Sequence, residues 1–269
     1  MRAAGSVTVK PVHPVGIDNM DVRVKGKGSI EPFLSARDLL ATEYDLELPV
    51  VVKIRSDPDE RTMVGHFEDR HELIVSRRAS SSAMARELAL HEFAHMARFE
   101  QRHPSHVQST EEALFLALAG RSVEQRKLSH CYQIANHMKD IYADDITLEI
   151  GPTAKLVDFM EASLARALAE SPPQAPRNWT RLTESSDPEI TAVNAAFALA
   201  LLERHDAIDA GHRLYDLAEA ADSDAATISL SKFKHHFRSL GPDLDGSEYR
   251  KSLVDVTRDY ALGDEQAAD

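Results

Sequence analysis

His91, Glu92 and His95 stand in the order His-Glu-x-x-His inside the run Leu88-Ala89-Leu90-His91-Glu92-Phe93-Ala94-His95-Met96-Ala97. On an α-helix, side chains four apart lie on one face, so two imidazoles at this spacing can each reach one ion at about 2.0–2.1 Å. Glu92 sits one step round the helix, where it can take a proton from water activated by that ion without binding the ion itself. Zn²⁺ suits such a pair because it accepts nitrogen ligands and lowers the pKa of its water toward about 7. The expected cofactor is therefore one zinc ion, with Glu92 as the catalytic base. Five residues alone are a weak signal in a chain with 13 histidines; the setting strengthens it. Residues Ala83 to Phe99 are nearly all good helix formers with no Pro or Gly, and Ser80-Ser81-Ser82 offers a helix start. Apart from Glu92, the neighbours of both histidines are uncharged (Leu88, Ala89, Leu90, Phe93, Ala94, Met96 and Ala97), whereas a surface helix is rarely so apolar around two polar groups.

A catalytic zinc takes three protein ligands and leaves a fourth position open. The best source of the third is Asn136 to Asp145. Asn136, Asp140 and Asp144 recur every four residues, which places three small polar side chains along one helical face. Ile134, Ile141, Tyr142, Ile146 and Leu148 predict partial burial of that helix. A buried acidic stripe needs a cation or hydrogen-bond donors to offset its desolvation. Two residues compete with Asp140. Glu112, in Ser109-Thr110-Glu111-Glu112-Ala113-Leu114, can reach toward a metal or can close a capping box with Ser109. His137 shares a face with Asp140 and Asp144 and would make a three-histidine site.

Uncharged residues on both sides of His-Glu-x-x-His resemble the active-site helix of the zincin metallopeptidases. Asp140-Ile141-Tyr142-Ala143-Asp144 is similar in spacing to the Glu-x-x-Ala-Asp element of the gluzincin branch, with Asp in place of Glu. The shorter carboxylate would require the two helices to approach more closely. This resemblance implies His91, His95 and Asp140 as metal ligands. It implies Asp144 as the partner that holds the His91 or His95 tautomer, with Asn136 beside it on the same face. Ser109 to Leu114 is similar to the Asn-Glu-Ala element of thermolysin-like enzymes, which keeps Glu112 open as an alternative ligand. The implied activity is zinc-dependent hydrolysis of peptide bonds in a peptide or protein substrate, with Tyr142 or a histidine assisting the oxyanion. The resemblance also implies a sheet edge along the cleft that pairs with extended substrate, either Leu73 to Ser76 or the preceding strand. A zincin-fold module that holds metal without cleaving peptides is the alternative from another class. A helical scaffold carrying the motif by accident is a third.

The elements that must position these residues are readable from periodicity. Val7-Thr8-Val9 and Val22-Arg23-Val24 alternate as strands do, with Gly26 and Gly28 as turn signals. Pro32 to Leu40 reads as a helix and Leu48 to Ile54 as a strand; Thr62 to Phe67 and His71 to Ser76 read as a hairpin. His103-Pro104-Ser105-His106 reads as a solvent-exposed loop. Helices follow over Thr110–Ala119, Ser122–Ile150 and Thr153–Glu170, then a Pro-rich linker at about 171–187, then helices near 188–206, 208–221, 226–239 and 246–260. The expected fold class is α+β: a zincin-like small β-sheet plus active-site helices, followed by an all-helical C-terminal part. A catalytic domain over 1–150 and a helical domain over 151–269 are expected, and the helical half shows no site of its own.

Composition excludes other classes. A net charge of −13 opposes binding to nucleic acid or an anionic membrane. Cys131 is the single cysteine, which rules out an intrachain disulfide and fits a small buried apolar residue. The N-terminus lacks the apolar core of a secretion signal. The longest apolar run, Val193 to Leu202, is far shorter than the about 20 residues of a spanning helix. A cytoplasmic protein is expected, with its oligomeric state open.

Overall fold

In the computed structural model, which describes residues 20–170, 187–225 and 227–263, four short strands form one mixed sheet in the order β1-β2-β4-β3. β2 (Val50–Arg55) and β4 (His71–Ser76) are almost continuously buried, as inner strands of a covered sheet should be. β1 (Val22–Lys25) alternates half-buried and exposed positions. It runs parallel to β2, and β2 runs parallel to β4. Parallel neighbours need a crossover, which α1 (Glu31–Leu40) supplies between β1 and β2. β3 (Met63–His66) folds back on β4 as the expected antiparallel hairpin. β4 is therefore paired on both sides over His71 to Ile74, so Leu73 and Ile74 are not at a sheet edge, and only Val75 and Ser76 extend beyond β3. Of the two strands expected to offer one, β3 does so.

The three serines expected to start the His-Glu-x-x-His helix instead close the short α2 (Arg77–Ser80). Their hydroxyls donate back to carbonyls one turn earlier, Ser80 and Ser81 to Arg77 at 3.0 Å and Ser82 to Ala79 at 2.9 Å. The next helix, α3 (Ala85–Glu100), begins at Met84 without a side-chain cap. It buries Leu90, Phe93 and Met96 against Val50, Val52, Leu73 and Val75 of the sheet and Phe33 of α1. At its far end the Glu100 carboxylate accepts from the N–H groups of Glu47 and Leu48, at 2.7 and 2.9 Å, and meets the buried His71 ring at 3.0 Å. Those contacts tie α3 to β4 and to the entry of β2.

The long helix α6 (Gln125–Ile150) belongs to two cores. Ala143 and Ile146 join the core under the sheet. Cys131, Ile134, Met138, Ile141 and Tyr142 join a second core with the C-terminal helices. Small buried residues, Ala94 and Ala97 on α3 and Ala143 on α6, let these two helices come close. Arg98 Nε bridges them by donating to the Tyr142 carbonyl at 2.8 Å.

Beyond α3 lie α4 (Pro104–Val107), α5 (Thr110–Leu118) and, after α6, α7 (Ala154–Glu170). α8 (Pro188–Arg204), α9 (Arg213–Asp224), α10 (Leu230–Arg238) and α11 (Gly246–Leu262) complete the described chain. Gly151 allows the tight passage from α6 to α7, since a Cβ there would stand 2.8 Å from the Thr147 carbonyl and 3.2 Å from Leu90. From α8, Arg204 donates to Asp145 at 2.7 and 2.9 Å, and the adjoining His205 ring lies 2.8 Å from the same carboxylate. The observed class is α+β, mostly helical, with one small mixed sheet. No described helix is long and apolar enough to cross a membrane. Val7 to Val9 and the linker at 171–186 lie outside the described residues. Asp187, expected as the last linker residue, is buried and caps α8 by accepting the Glu189 N–H at 2.9 Å. Cys131 is fully buried, and burial pushes its thiol up to about 12.

Candidate metal centre

One turn apart on α3, His91 and His95 project toward Asp140 of α6. Their Nε2 atoms are 3.0 Å apart, and Asp140 Oδ1 lies 3.2 Å from His95 Nε2 and 3.8 Å from His91 Nε2. A tetrahedral site with bonds of about 2.0–2.1 Å has edges of about 3.3 Å. The three atoms thus lie at the separations that one ion would impose, and the group could hold a metal ion.

The opposite nitrogen of each ring is anchored. His91 Nδ1 lies 2.7 Å from Asp144 Oδ1, and the buried Asp144 also accepts from Thr147 Oγ1 at 3.0 Å. An ionised carboxylate only accepts, so Nδ1 of His91 carries a proton and Nε2 of the neutral ring is bare. His95 Nδ1 lies 2.7 Å from His106 Nε2. Beyond it, His106 Nδ1 lies 2.8 Å from Ser105 Oγ, which lies 2.7 Å from His103 Nδ1. The run is satisfied when His95 donates to His106, His106 to Ser105 and Ser105 to His103, an assignment that leaves His95 Nε2 bare as well.

With both rings neutral, two bare nitrogens and a carboxylate oxygen at these separations repel one another unless a positive charge, a metal ion or a proton, sits among them. The ionisation of the group expresses the same demand. Burial opposes charge on the His91 ring, but Asp144, then Asp140 and Glu92, outweigh it and raise its pKa to about 10. Burial likewise opposes charge on Asp140, yet contacts from His137 and His95 hold its carboxyl far below the usual carboxylate range. Donor chemistry, spacing and charge therefore fit a metal ion at His91, His95 and Asp140.

Residues 20–262 match the model of a family described as a family of unknown function, DUF5781. The chain belongs to the DUF5781 family. The matched span contains the sheet, α3, α4 and α6, and so every residue of the centre. No curated protein and no solved structure matches the chain.

In this DUF5781 chain the other candidate residues fall at different distances from the centre. Asn136 is exposed on α6 and is not brought to the site. Each step of four residues turns a helix by about 40° beyond a full circle, so Asn136 and Asp144 point about 80° apart. Glu112 is exposed on α5, where its N–H donates to Ser109 Oγ at 3.1 Å and its carboxylate lies 3.9 Å from Arg250. His137 stands behind Asp140, with Nδ1 3.5 Å from Asp140 Oδ2, Nε2 2.8 Å from Asn194 Oδ1, and its ring stacked on Phe197. Tyr142 is buried and donates its hydroxyl to the Gly241 carbonyl at 3.1 Å, so it does not reach an oxyanion at the centre.

His103 to His106 corrects another expectation. The segment is not an exposed loop: Pro104 opens α4, the His103 ring accepts the Ser105 N–H at 3.3 Å, Ser105 is fully buried and both histidines are partly buried. Proline after a possible cap is a helix-start signal. It announces the turn of helix, but nothing in the spacing announces the contact with His95.

The centre is open on one side. A cavity of about 460 Å³ is lined by His91, Glu92, Asp140 and Asp144 and by residues of α7 and α8. Burial raises the Glu92 carboxyl above its ordinary range, with the nearby rings of His91 and His95 opposing the rise.

Proposed function

We propose that this chain is a zinc-dependent hydrolase of peptide bonds, with His91, His95 and Asp140 holding the ion and Glu92 as the proton-transfer group. The observation that carries this reading is the convergence of three ligand atoms, with His91 and Asp140 lining an open cavity together with Glu92. A structural zinc site is closed by four protein ligands, whereas a catalytic one keeps a position free. Three ligands next to a cavity support the catalytic reading over a purely structural module. A βαβ unit and hairpin leading into the His-Glu-x-x-His helix, with Asp140 and Asp144 on the helix packed against it, support a zincin-like arrangement.

Zinc bound there supplies Lewis-acid activation of water and of the scissile carbonyl. The remaining work belongs to the chain. Asp144 and His106 keep the two imidazoles in the tautomer that exposes Nε2, which fixes ring orientation before the ion arrives. Glu92 is the carboxylate of the site whose charge is least favoured, because burial raises its pKa while Asp140 is held ionised. A base of that kind takes the proton of the attacking water and delivers it to the leaving amine.

The test separates proton transfer from metal binding. Zinc-loaded wild type and Glu92→Gln are compared on a library of unfolded peptides. The reading expects equal zinc content and a loss of cleavage of about 100-fold or more in the variant. A zinc-loaded wild type that cleaves nothing, or a fully active Gln variant, contradicts it.

A further inference from the structure

The cavity beside the centre has a chemical character of its own. It lies between the first half of α3, the second half of α6 and the beginning of α7, and Phe197 of α8 also lines it. Leu88, Leu148, Leu156, Phe159 and Met160 line it together with Phe197. Glu92, His91 and Asp140 of the centre line it as well. Toward the start of α3, Glu87 is held by Arg86 at 2.5 Å and by Lys155 at 3.2 Å. Both cations contact Oε1 and offset the carboxylate's charge, while Oε2 is buried without a hydrogen-bond partner. Phe159, on the first turns of α7, is 52% exposed although it belongs to an apolar wall. The volume of about 460 Å³ falls inside the range of about 300–1,000 Å³ typical of sites that take organic ligands.

Apolar walls reward burial of apolar surface and penalise a charged or strongly hydrated group that finds no partner. We infer that this cavity is the specificity pocket of the site and takes a large apolar side chain, so that the substrates are peptides with a bulky aliphatic or aromatic residue next to the cleaved bond. This rests on the hydrolase reading above. It also gives the helical half a part in the site: Leu156, Phe159 and Met160 of α7 and Phe197 of α8 complete a wall that α3 and α6 otherwise provide, so they contribute to substrate selection while α3 and α6 carry out the chemistry.

The experiment uses the full zinc-loaded chain and two hydroxamates, which chelate an accessible zinc ion and require no turnover. Acetohydroxamate reports the open metal position alone; 3-phenylpropionohydroxamate adds an apolar tail that can enter the cavity. Calorimetric titration of the wild type should show the phenyl compound binding at least about tenfold more tightly, a gain expected from filling an apolar pocket. Leu156→Trp, which fills the cavity, should abolish that gain and leave acetohydroxamate affinity unchanged. Phe159→Ala removes a half-exposed wall residue, so the fold is retained, and it should reduce the gain. Equal affinity of the two compounds for the wild type overturns the pocket while leaving the metal centre standing. So does a gain that survives in both variants. If neither compound binds the zinc-loaded wild type, the metal position is not open, and the hydrolase reading falls together with the pocket.

Discussion

Asp144 holds His91 from behind: its Oδ1 lies 2.7 Å from His91 Nδ1, while Asp140, one turn earlier on α6, faces the Nε2 of the same ring at 3.8 Å. Two carboxylates on one helix thus act on opposite nitrogens of one imidazole. This division of labour predicts a ranking. Asp140→Ala removes a ligand and should abolish stable zinc binding, whereas Asp144→Asn should weaken it by about 10–100-fold, as loss of an orienting partner does. Competition against a chelator of known affinity measures both. Equal losses in the two variants would contradict the ranking.

His106 should behave toward His95 as Asp144 does toward His91. His106→Ala should lower zinc affinity by a factor within about 10–100, and His106→Gln, which keeps an acceptor near His95 Nδ1, should recover part of it. A protein that binds zinc equally well with Ala at this position would show that the 2.7 Å contact does not orient the ligand.

Asp145, next in sequence to Asp144, fixes α6 to α8 through Arg204 and His205. Its side chain and that of Arg204 are only 15% and 20% exposed, so truncating one leaves the other poorly solvated. Asp145→Ala should destabilise the fold by on the order of 3 kcal/mol in denaturant unfolding. Lys251→Ala breaks the exposed pair with Asp255, 79% and 41% exposed, and should cost no more than about 0.5 kcal/mol. Similar effects of the two substitutions would mean that Asp145 is not a structural tie.

Acid should loosen α3 at its C-terminal end. Burial works against ionisation of Glu100, but the hydrogen bonds from His71 and from the Glu47 and Leu48 N–H groups outweigh it, and the folded pKa is lowered from the ordinary 4.5. A group with a depressed folded pKa contributes its stability above the unfolded value and loses it as pH falls through the folded one. The wild type should therefore lose stability below about pH 4.5, and Glu100→Gln should lose less over that window while starting lower at neutral pH. Parallel stability profiles for the two proteins would contradict this assignment.

The ligand group was legible because helical spacing fixes direction. His91 and His95 must share a face, and Asp140 and Asp144, four apart, must point to one side of their helix. The same rule carried too far misplaced Asn136, since eight residues accumulate enough rotation to take it to solvent. Ser80 to Ser82 illustrate a second limit: a hydroxyl cluster between two helices can cap either one, and here it serves the end of α2. The role of His106 was hidden because its contact with His95 depends on how α4 turns back over α3. The walls supplied by Phe159, Met160 and Phe197 were hidden for a related reason. Periodicity marks their helices as amphipathic or buried, but which cavity a buried face borders is settled by packing between distant segments.

The central claim is that His91, His95 and Asp140 form a zinc site, and elemental analysis of the purified chain tests it most directly. Wild type, dialysed against trace zinc and then freed of loose metal, should retain about one zinc ion per chain. His91→Ala, His95→Ala and Asp140→Ala should each retain almost none while remaining folded by circular dichroism. Wild type that takes up no zinc, or variants that retain it fully, would contradict the account.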